Sequence, residues 1–283
     1  MKRAELILLL VTVFWGLTFP VMKISISYMP PLLFLAYRFG IASALMLLIF
    51  RSKAVKKETV FEGFILGITL FSGHAFQIIG LKYTTPSNSA FITSLYVVFT
   101  PFIAYFLLRD KIKKKDVVSL LIAIAGLYLI SGAGKDLNHG DILTVFCAIS
   151  FAFQIVLVHK FQGSDYISLS FWQIVWNFLF SLVSSSLIEK PILPTTPASW
   201  LGIIYTSLFA TVVAFTAQIK YQGETTAYRA ALIYSTEPLF GTLGTVIIMR
   251  TIPSVRELIG AGLIMMAVWM AIKEDDVEAP LSL

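Results

Sequence analysis

Apolar residues fill this chain in ten blocks separated by short polar breaks, and each block approaches the length a helix needs to cross a bilayer. A hydrocarbon core of about 30 Å takes about 20 mostly apolar residues at a helical rise. The blocks are 6–28, 31–50, 61–82, 87–108, 116–131, 141–160, 168–187, 199–221, 226–249 and 254–272. The fifth is the shortest and has room to extend past Ser131. The pattern predicts an all-α integral membrane protein with ten transmembrane helices.

The two halves of the pattern repeat. The stretch 84–126 aligns without a gap on 225–267, an offset of 141 that pairs Thr84 with Thr225, Thr85 with Thr226, Ala90 with Ala231, Ile92 with Ile233, Ser94 with Ser235, Phe99 with Phe240 and Arg109 with Arg250. A second match sets Thr12-Val13-Phe14-Trp15-Gly16-Leu17-Thr18-Phe19 against Thr144-Val145-Phe146-Cys147-Ala148-Ile149-Ser150-Phe151. The expected organisation is a five-helix repeat over 1–134, a second over 135–273, and a short tail at 274–283. Five spans is an odd number, so the second repeat enters the membrane from the opposite side and the repeats are inverted. Hydrophobic halves related this way usually meet around one site in secondary transporters.

Charge orients the bundle. With the N-terminus inside, fifteen of the 22 Lys and Arg residues fall on the inner side, five fall outside (Lys82, Lys135, Lys190, Arg250 and Arg256), and Lys23 and Arg38 lie within spans. That excess places both termini in the cytoplasm, in a multi-pass protein of the cytoplasmic membrane. At 57% hydrophobic and 13% charged residues the chain is too apolar for a soluble domain. The net charge of +6 raises nucleic acid as a partner, but the densest basic run, Lys111-Ile112-Lys113-Lys114-Lys115, is flanked by apolar blocks and has no interleaved aromatics. It reads as a loop at a membrane face, so the partner is the lipid bilayer rather than nucleic acid. The single cysteine, Cys147, lies in an apolar run and allows no disulfide framework. Apolar residues continue from Met1-Lys2-Arg3 past Phe19 with no small-residue cleavage site, so the first block is expected to stay as a span.

The repeat, Trp15-Gly16-x-x-Phe19 in the first span, Arg38-Phe39 in the second and Glu237-Pro238 in the ninth together resemble the drug/metabolite transporter superfamily, and within it the ten-span carriers of the EamA type. The resemblance covers essentially the whole chain, from Leu6 to Ile272. It implies a carrier of small metabolites or amino acids, often moving them outward, with the first, third, fourth, sixth, eighth and ninth spans around a central cavity. Two departures stand out. Where halves of that family often end the fourth or ninth span in Leu-Gly-Glu, this chain has Arg109-Asp110 and Arg250-Thr251, and Val97 stands opposite Pro238.

Candidate chemistry is concentrated within the spans. Glu237 lies near the middle of the ninth, where an ionised carboxylate costs several kcal/mol unless paired, hydrated or protonated. It fits a proton or substrate-ammonium site, or an acid held by hydrogen bonds, and its repeat partner is Tyr96. Pro238 cannot donate to the helix ladder and should free a carbonyl one turn back, at Tyr234. Arg38 is too deep to reach water and should pair internally, whereas Lys23 can snorkel to the outer interface. His74 and Gln77 share one face of the third span, Ser150 and Gln154 one face of the sixth. Gln218 and Thr211 add polar groups to the eighth. Gln173 and Asn177 of the seventh are expected to hydrogen-bond between helices. Trp15 and Phe19, four apart, suit an aromatic wall for a substrate or packing at the repeat interface.

No second ligand accompanies His74 at metal spacing, so neither a metal nor another cofactor is expected. Enzyme motifs are missing too: Ser72-Gly73-His74 lacks a glycine two before the serine, and there is neither HExxH nor GxSxG. A channel would need a continuous polar lining. The residues instead favour a secondary-active carrier, an exporter of a small organic metabolite, with protons as a candidate second partner and an uncoupled facilitative carrier as the alternative. Substrate identity and oligomeric state cannot be read from the residues.

Overall fold

Threonine and proline set many of the helix starts. In the computed structural model, which describes residues 3–110, 114–131, 138–250 and 254–273, the Oγ1 of Thr85 accepts from the Asn88 N–H ahead of a helix opened by Pro86. Thr226, its counterpart at the 141 offset, caps the equivalent helix by accepting from Arg229 N–H. Thr196 accepts from Ser199 N–H before Pro197, and Asn138 and Asp141 form a reciprocal capping box. The elements are α1 (Arg3–Ser25), α2 (Pro31–Phe50), α3 (Val60–Tyr83), α4 (Pro86–Thr93), α5 (Tyr96–Leu108), α6 (Lys114–Ser131), α7 (His139–Lys160), α8 (Tyr166–Ile188), α9 (Pro197–Ser207), α10 (Ala214–Gln222), α11 (Ala227–Tyr234), α12 (Glu237–Met249) and α13 (Val255–Lys273). A π-helical turn, Leu208–Val213, joins α9 to α10.

Among the described residues, eight helical segments are long and apolar enough to cross a membrane; α6 and α13 carry shorter apolar stretches, Val117–Leu129 and Leu258–Met270. The chain is therefore an all-α multi-pass membrane protein. At 1.5 Å per residue, the 18 residues of α6 and 19 of α13 rise about 27 and 28 Å, just under the thickness of a hydrocarbon core. These two helices pack on each other. Lys2, Lys111, Lys113, Lys135 and the tail 274–283 lie outside the described residues.

The fourth and ninth blocks are each two helices rather than one. Both break at the same register, with Ser94 closing α4 and Ser235 closing α11. Ser94 Oγ donates to Ala90 O at 3.0 Å and Ser235 Oγ to Leu232 O at 2.6 Å, so each hydroxyl binds its own last turn. Proline is not the cause, since Val97 stands where the other half has Pro238. Pro238 sits in the first turn of α12, where a missing N–H costs nothing. The expectation that it opens a gap in a continuous helix is corrected: it starts a new one.

Both blocks also end alike. Arg109 and Arg250 close α5 and α12 in the left-handed region, at φ 59° and 54°. A side chain there costs about 1–2 kcal/mol that glycine avoids. Replacing both arginines by glycine should raise the thermal midpoint in detergent by about 2 °C or more. A lowered midpoint would mean that guanidinium contacts outweigh the backbone cost.

Polar ties gather the loops into two ends. At one, Lys56 pairs with Asp165 at 2.6 Å, and Lys220 Nζ lies 5.0 Å over the Tyr166 ring. At the other, Glu189 accepts from the N–H groups of Leu32 and Leu33 at 3.0 and 2.7 Å. Asp141 there accepts from Thr84 Oγ1 and Asn88 Nδ2 at 2.8 and 2.7 Å. Between the ends, glycines let helices touch. A Cβ on Gly63 or Gly67 would fall 2.3 or 2.5 Å from the Cβ of Trp172 or Trp176 on α8, and one on Gly16 would meet α12. Small residues at such crossings permit close packing in lipid, where no hydrophobic force drives helices together.

Candidate functional site

The broken and irregular helices converge on one internal cavity. Helix α1 contributes Trp15 and Thr18, α3 contributes Leu70, His74 and Gln77, and α7 contributes Phe151, Gln154 and Ile155. Phe215 and Gln218 of α10, Tyr96, Tyr234 and Glu237 complete the lining together with Arg38 of α2. The second span, which the resemblance leaves out of the cavity, therefore adds a cation to it.

Glu237 and Tyr96 open the second half-helices of their spans, so both helix N-termini lie beside the cavity. The N-terminal end of a helix is electropositive and favours negative charge. Tyr96 donates its hydroxyl hydrogen to Glu237 Oε2 at 3.0 Å, and Glu237 is only 6% exposed. These residues are 141 apart, so positions that match in the repeat touch each other. Nearby, Tyr234 donates to Gln222 Oε1 at 3.1 Å, as does Gln218 Nε2. Gln222 in turn donates to Ile155 O at 2.6 Å, tying α10 to α7.

Arg38 stands on another wall, wholly buried, and the π-helical turn explains how. A π-turn widens the backbone ring and leaves carbonyls unpaired along the helix. Ala210 O, within it, accepts from Arg38 Nη2 at 3.3 Å and from Trp15 Nε1 at 3.0 Å. Arg38 Nε donates to Thr211 Oγ1 at 2.8 Å, while Thr211 donates five residues back to Thr206 O at 2.8 Å. The guanidinium also lies 5.0 Å from the Phe39 ring centroid. Internal pairing was the expectation, but the partners are neutral acceptors. Among the described residues, neither Arg38 nor Glu237 forms a salt bridge.

His74 sits in an aromatic cage, its ring 5.0, 5.1 and 5.9 Å from those of Phe39, Phe151 and Phe215. Its Nδ1 lies 2.8 Å from Leu70 O. A carbonyl only accepts, so Nδ1 carries the hydrogen and Nε2 is left to accept. Gln77 Nε2 reaches Thr93 Oγ1 at 3.4 Å. The Gln154 amide is engaged by its neighbours, accepting from Thr69 Oγ1 and donating to Gln173 Oε1 at 2.7 Å. Trp15 packs against Phe215 and Tyr234, with ring centroids 5.5 and 5.3 Å apart.

The placements of Phe19, Ser150 and Asn177 differ from expectation. Phe19 is 1% exposed and does not line the cavity; its ring packs beside Gly241 of α12. Ser150 is also outside, because its hydroxyl donates to Phe146 O at 2.9 Å and Phe151 takes the cavity face. Lys23 donates to the carbonyls of Leu81, Lys82 and Thr84 at 2.6, 3.3 and 2.8 Å, capping the exposed end of α3. Asn177, expected to bond between helices, accepts from Ser181 of its own helix at 3.1 Å. The lining residues that the sequence reading passed over were within its reach. Thr18 is three after Trp15, Leu70 four before His74, and Phe215 three before Gln218, all same-face spacings.

Comparison with known proteins agrees with this architecture. Residues 2–132 and 138–273 match the model of the EamA-like transporter family. An uncharacterized transporter of Archaeoglobus fulgidus is 37% identical over 266 residues, covering 94% of this chain and 84% of its own. A probable amino-acid metabolite efflux pump of Salmonella typhimurium is 25% identical over 284 residues, covering 95% and 94%. A solved crystal structure at 20% identity shares the fold with a TM-score of 0.81, over 99% of this chain and 100% of that one.

Proposed function

We propose, from the premise that the chain belongs to the EamA-like transporter family, that this membrane transporter carries a small zwitterionic metabolite, an amino acid or close relative, by alternating access. The observation that carries the reading is a single cavity lined by two buried groups that can carry opposite charge, Arg38 and Glu237, and that do not pair with each other. Arg38 suits a carboxylate and Glu237 an ammonium, so a zwitterion would complete both at once. The aromatic faces of Trp15, Phe215 and Phe151 leave an apolar volume for a side chain. The name of the Salmonella relative supports the same class of cargo and an outward direction.

The transport cycle proposed is a rocking of two inverted five-helix repeats, 1–134 and 135–273, about a pseudo-two-fold axis in the membrane plane. Helix α3 runs from the Lys56 end toward the Asp141 end, while its counterpart, α9 to α10, runs from the Glu189 end toward the Lys220 end. Helix pairings keep their form when the halves are exchanged: α6 packs on α13, and α2 packs on α8. Contact between Tyr96 and Glu237, 141 residues apart, supports an axis near that pair. The basic loops at the Lys56 and Lys220 end support a cytoplasmic position for it, in a protein of the cytoplasmic membrane. Protons exchanging at Glu237 would couple the cycle to a gradient.

Reconstituted protein tests the proposal. Counterflow with a panel of labelled amino acids should saturate and be accelerated by unlabelled substrate on the other side, and amines or carboxylates alone should compete more weakly. Linear flux without acceleration would identify a channel, and equal competition by simple carboxylates would remove Glu237 from recognition.

A further inference from the structure

A second concavity, a groove of about 790 Å³, runs along the outside of the eighth span. Its chemistry is layered. At the mouth, Lys220 Nζ lies 5.0 and 5.2 Å over the rings of Tyr166 and Tyr221, and the exposed Arg51 follows directly on the lining residue Phe50. One turn deeper, about 6 Å along the axis, Thr216 lines the groove, and its buried hydroxyl has no hydrogen-bond partner. Deeper still the lining of this span is aliphatic, with Val213, Val212 and Leu208. From Lys220 to Leu208 the helix rises about 18 Å, close to the depth of one leaflet of a core about 30 Å thick.

We infer that this groove binds one anionic glycerophospholipid of the adjoining leaflet, with its phosphate at Lys220 and Arg51, an ester carbonyl at Thr216, and an acyl chain along Val212, Val213 and Leu208. Cation, hydroxyl and hydrocarbon follow one another in the order of a phospholipid's own headgroup, glycerol ester and tail. The two tyrosines suit the interface, where amphipathic rings concentrate. The neighbouring carboxylate, Asp165, is already paired with Lys56 at 2.6 Å and leaves Lys220 to a ligand. The site has a functional reach, because its floor is the π-helical turn whose inner side holds Arg38 through Ala210 and Thr211.

Native mass spectrometry of detergent-purified protein titrated with phosphatidylglycerol or phosphatidylcholine tests the assignment. Wild-type protein should retain phosphatidylglycerol in preference to phosphatidylcholine. Lys220→Gln, an exposed substitution that leaves the packing intact, should weaken phosphatidylglycerol retention about fivefold, and Thr216→Val should weaken it several-fold. Filling the groove with Ala217→Trp should reduce retention of both lipids. Equal retention of the two lipids by the wild type, or unchanged retention in Lys220→Gln or Thr216→Val, would overturn the site. None of these readouts depends on the transported substrate.

Discussion

Replacing Glu237 by Gln is expected to abolish transport driven by a pH gradient, by about tenfold or more, while the protein stays folded in detergent. Gln keeps the length of the side chain and an oxygen that can accept from Tyr96, now 3.0 Å from the carboxylate. It loses the charge and the proton. A hydrogen bond to a charged group is worth about 1.5–3 kcal/mol, which corresponds to a loss of about ten- to a hundredfold in any step that needs it. Counterflow, which needs no gradient, separates two outcomes. If it persists in the variant while gradient-driven uptake is gone, Glu237 carries the coupling proton. If both are lost, Glu237 also holds the substrate's ammonium. Transport and a pH profile that match the wild type would take the residue out of the mechanism altogether.

Gly16→Val should be as damaging, for a mechanical reason. A Cβ at position 16 would lie 2.6 Å from Phe240 Cβ, 2.7 Å from Glu237 O and 2.9 Å from Gly241 N. Two of those atoms are backbone, so no rotamer change relieves the clash and α12 must move away from α1. Overpacking of this kind costs about 1–3 kcal/mol, and the displaced helix carries Glu237 at its first residue. Transport should fall about tenfold or more, with a lower thermal midpoint. Gly262→Ala is the control, since nothing lies within 4 Å of a Cβ there, and it should leave both measurements unchanged. Normal transport in Gly16→Val would mean that the α1 and α12 crossing has slack that the packing does not show.

Hydropathy made the blocks legible, and the offset of 141 exposed their duplication, because both depend only on which residues are apolar and where they recur. It could not reveal the breaks within the fourth and ninth blocks. Ser94 and Ser235 close α4 and α11 with no proline or glycine at the break to mark it. The π-helical turn at 208–213 was equally hidden. Its one extra residue per turn leaves no mark on composition, yet it supplies the carbonyl that holds both Arg38 and Trp15. Ser150 and Gln154 show the limit of same-face reasoning. Four residues apart, they share a stripe, but Ser150 spends its hydroxyl on Phe146 O. Glu237 and Arg38 were recognised because a charge deep in a span needs a partner whatever its surroundings.

The contact between Tyr96 and Glu237 bears on how such a chain arises. Two separate copies of one ancestral subunit, related by the proposed two-fold axis, would set like against like there, glutamate on glutamate or tyrosine on tyrosine. Only once the two halves are encoded separately, by gene duplication, can the two positions diverge into a donor and an acceptor. The polarity of this bond is thus a property that a homodimer of half-length subunits could never acquire.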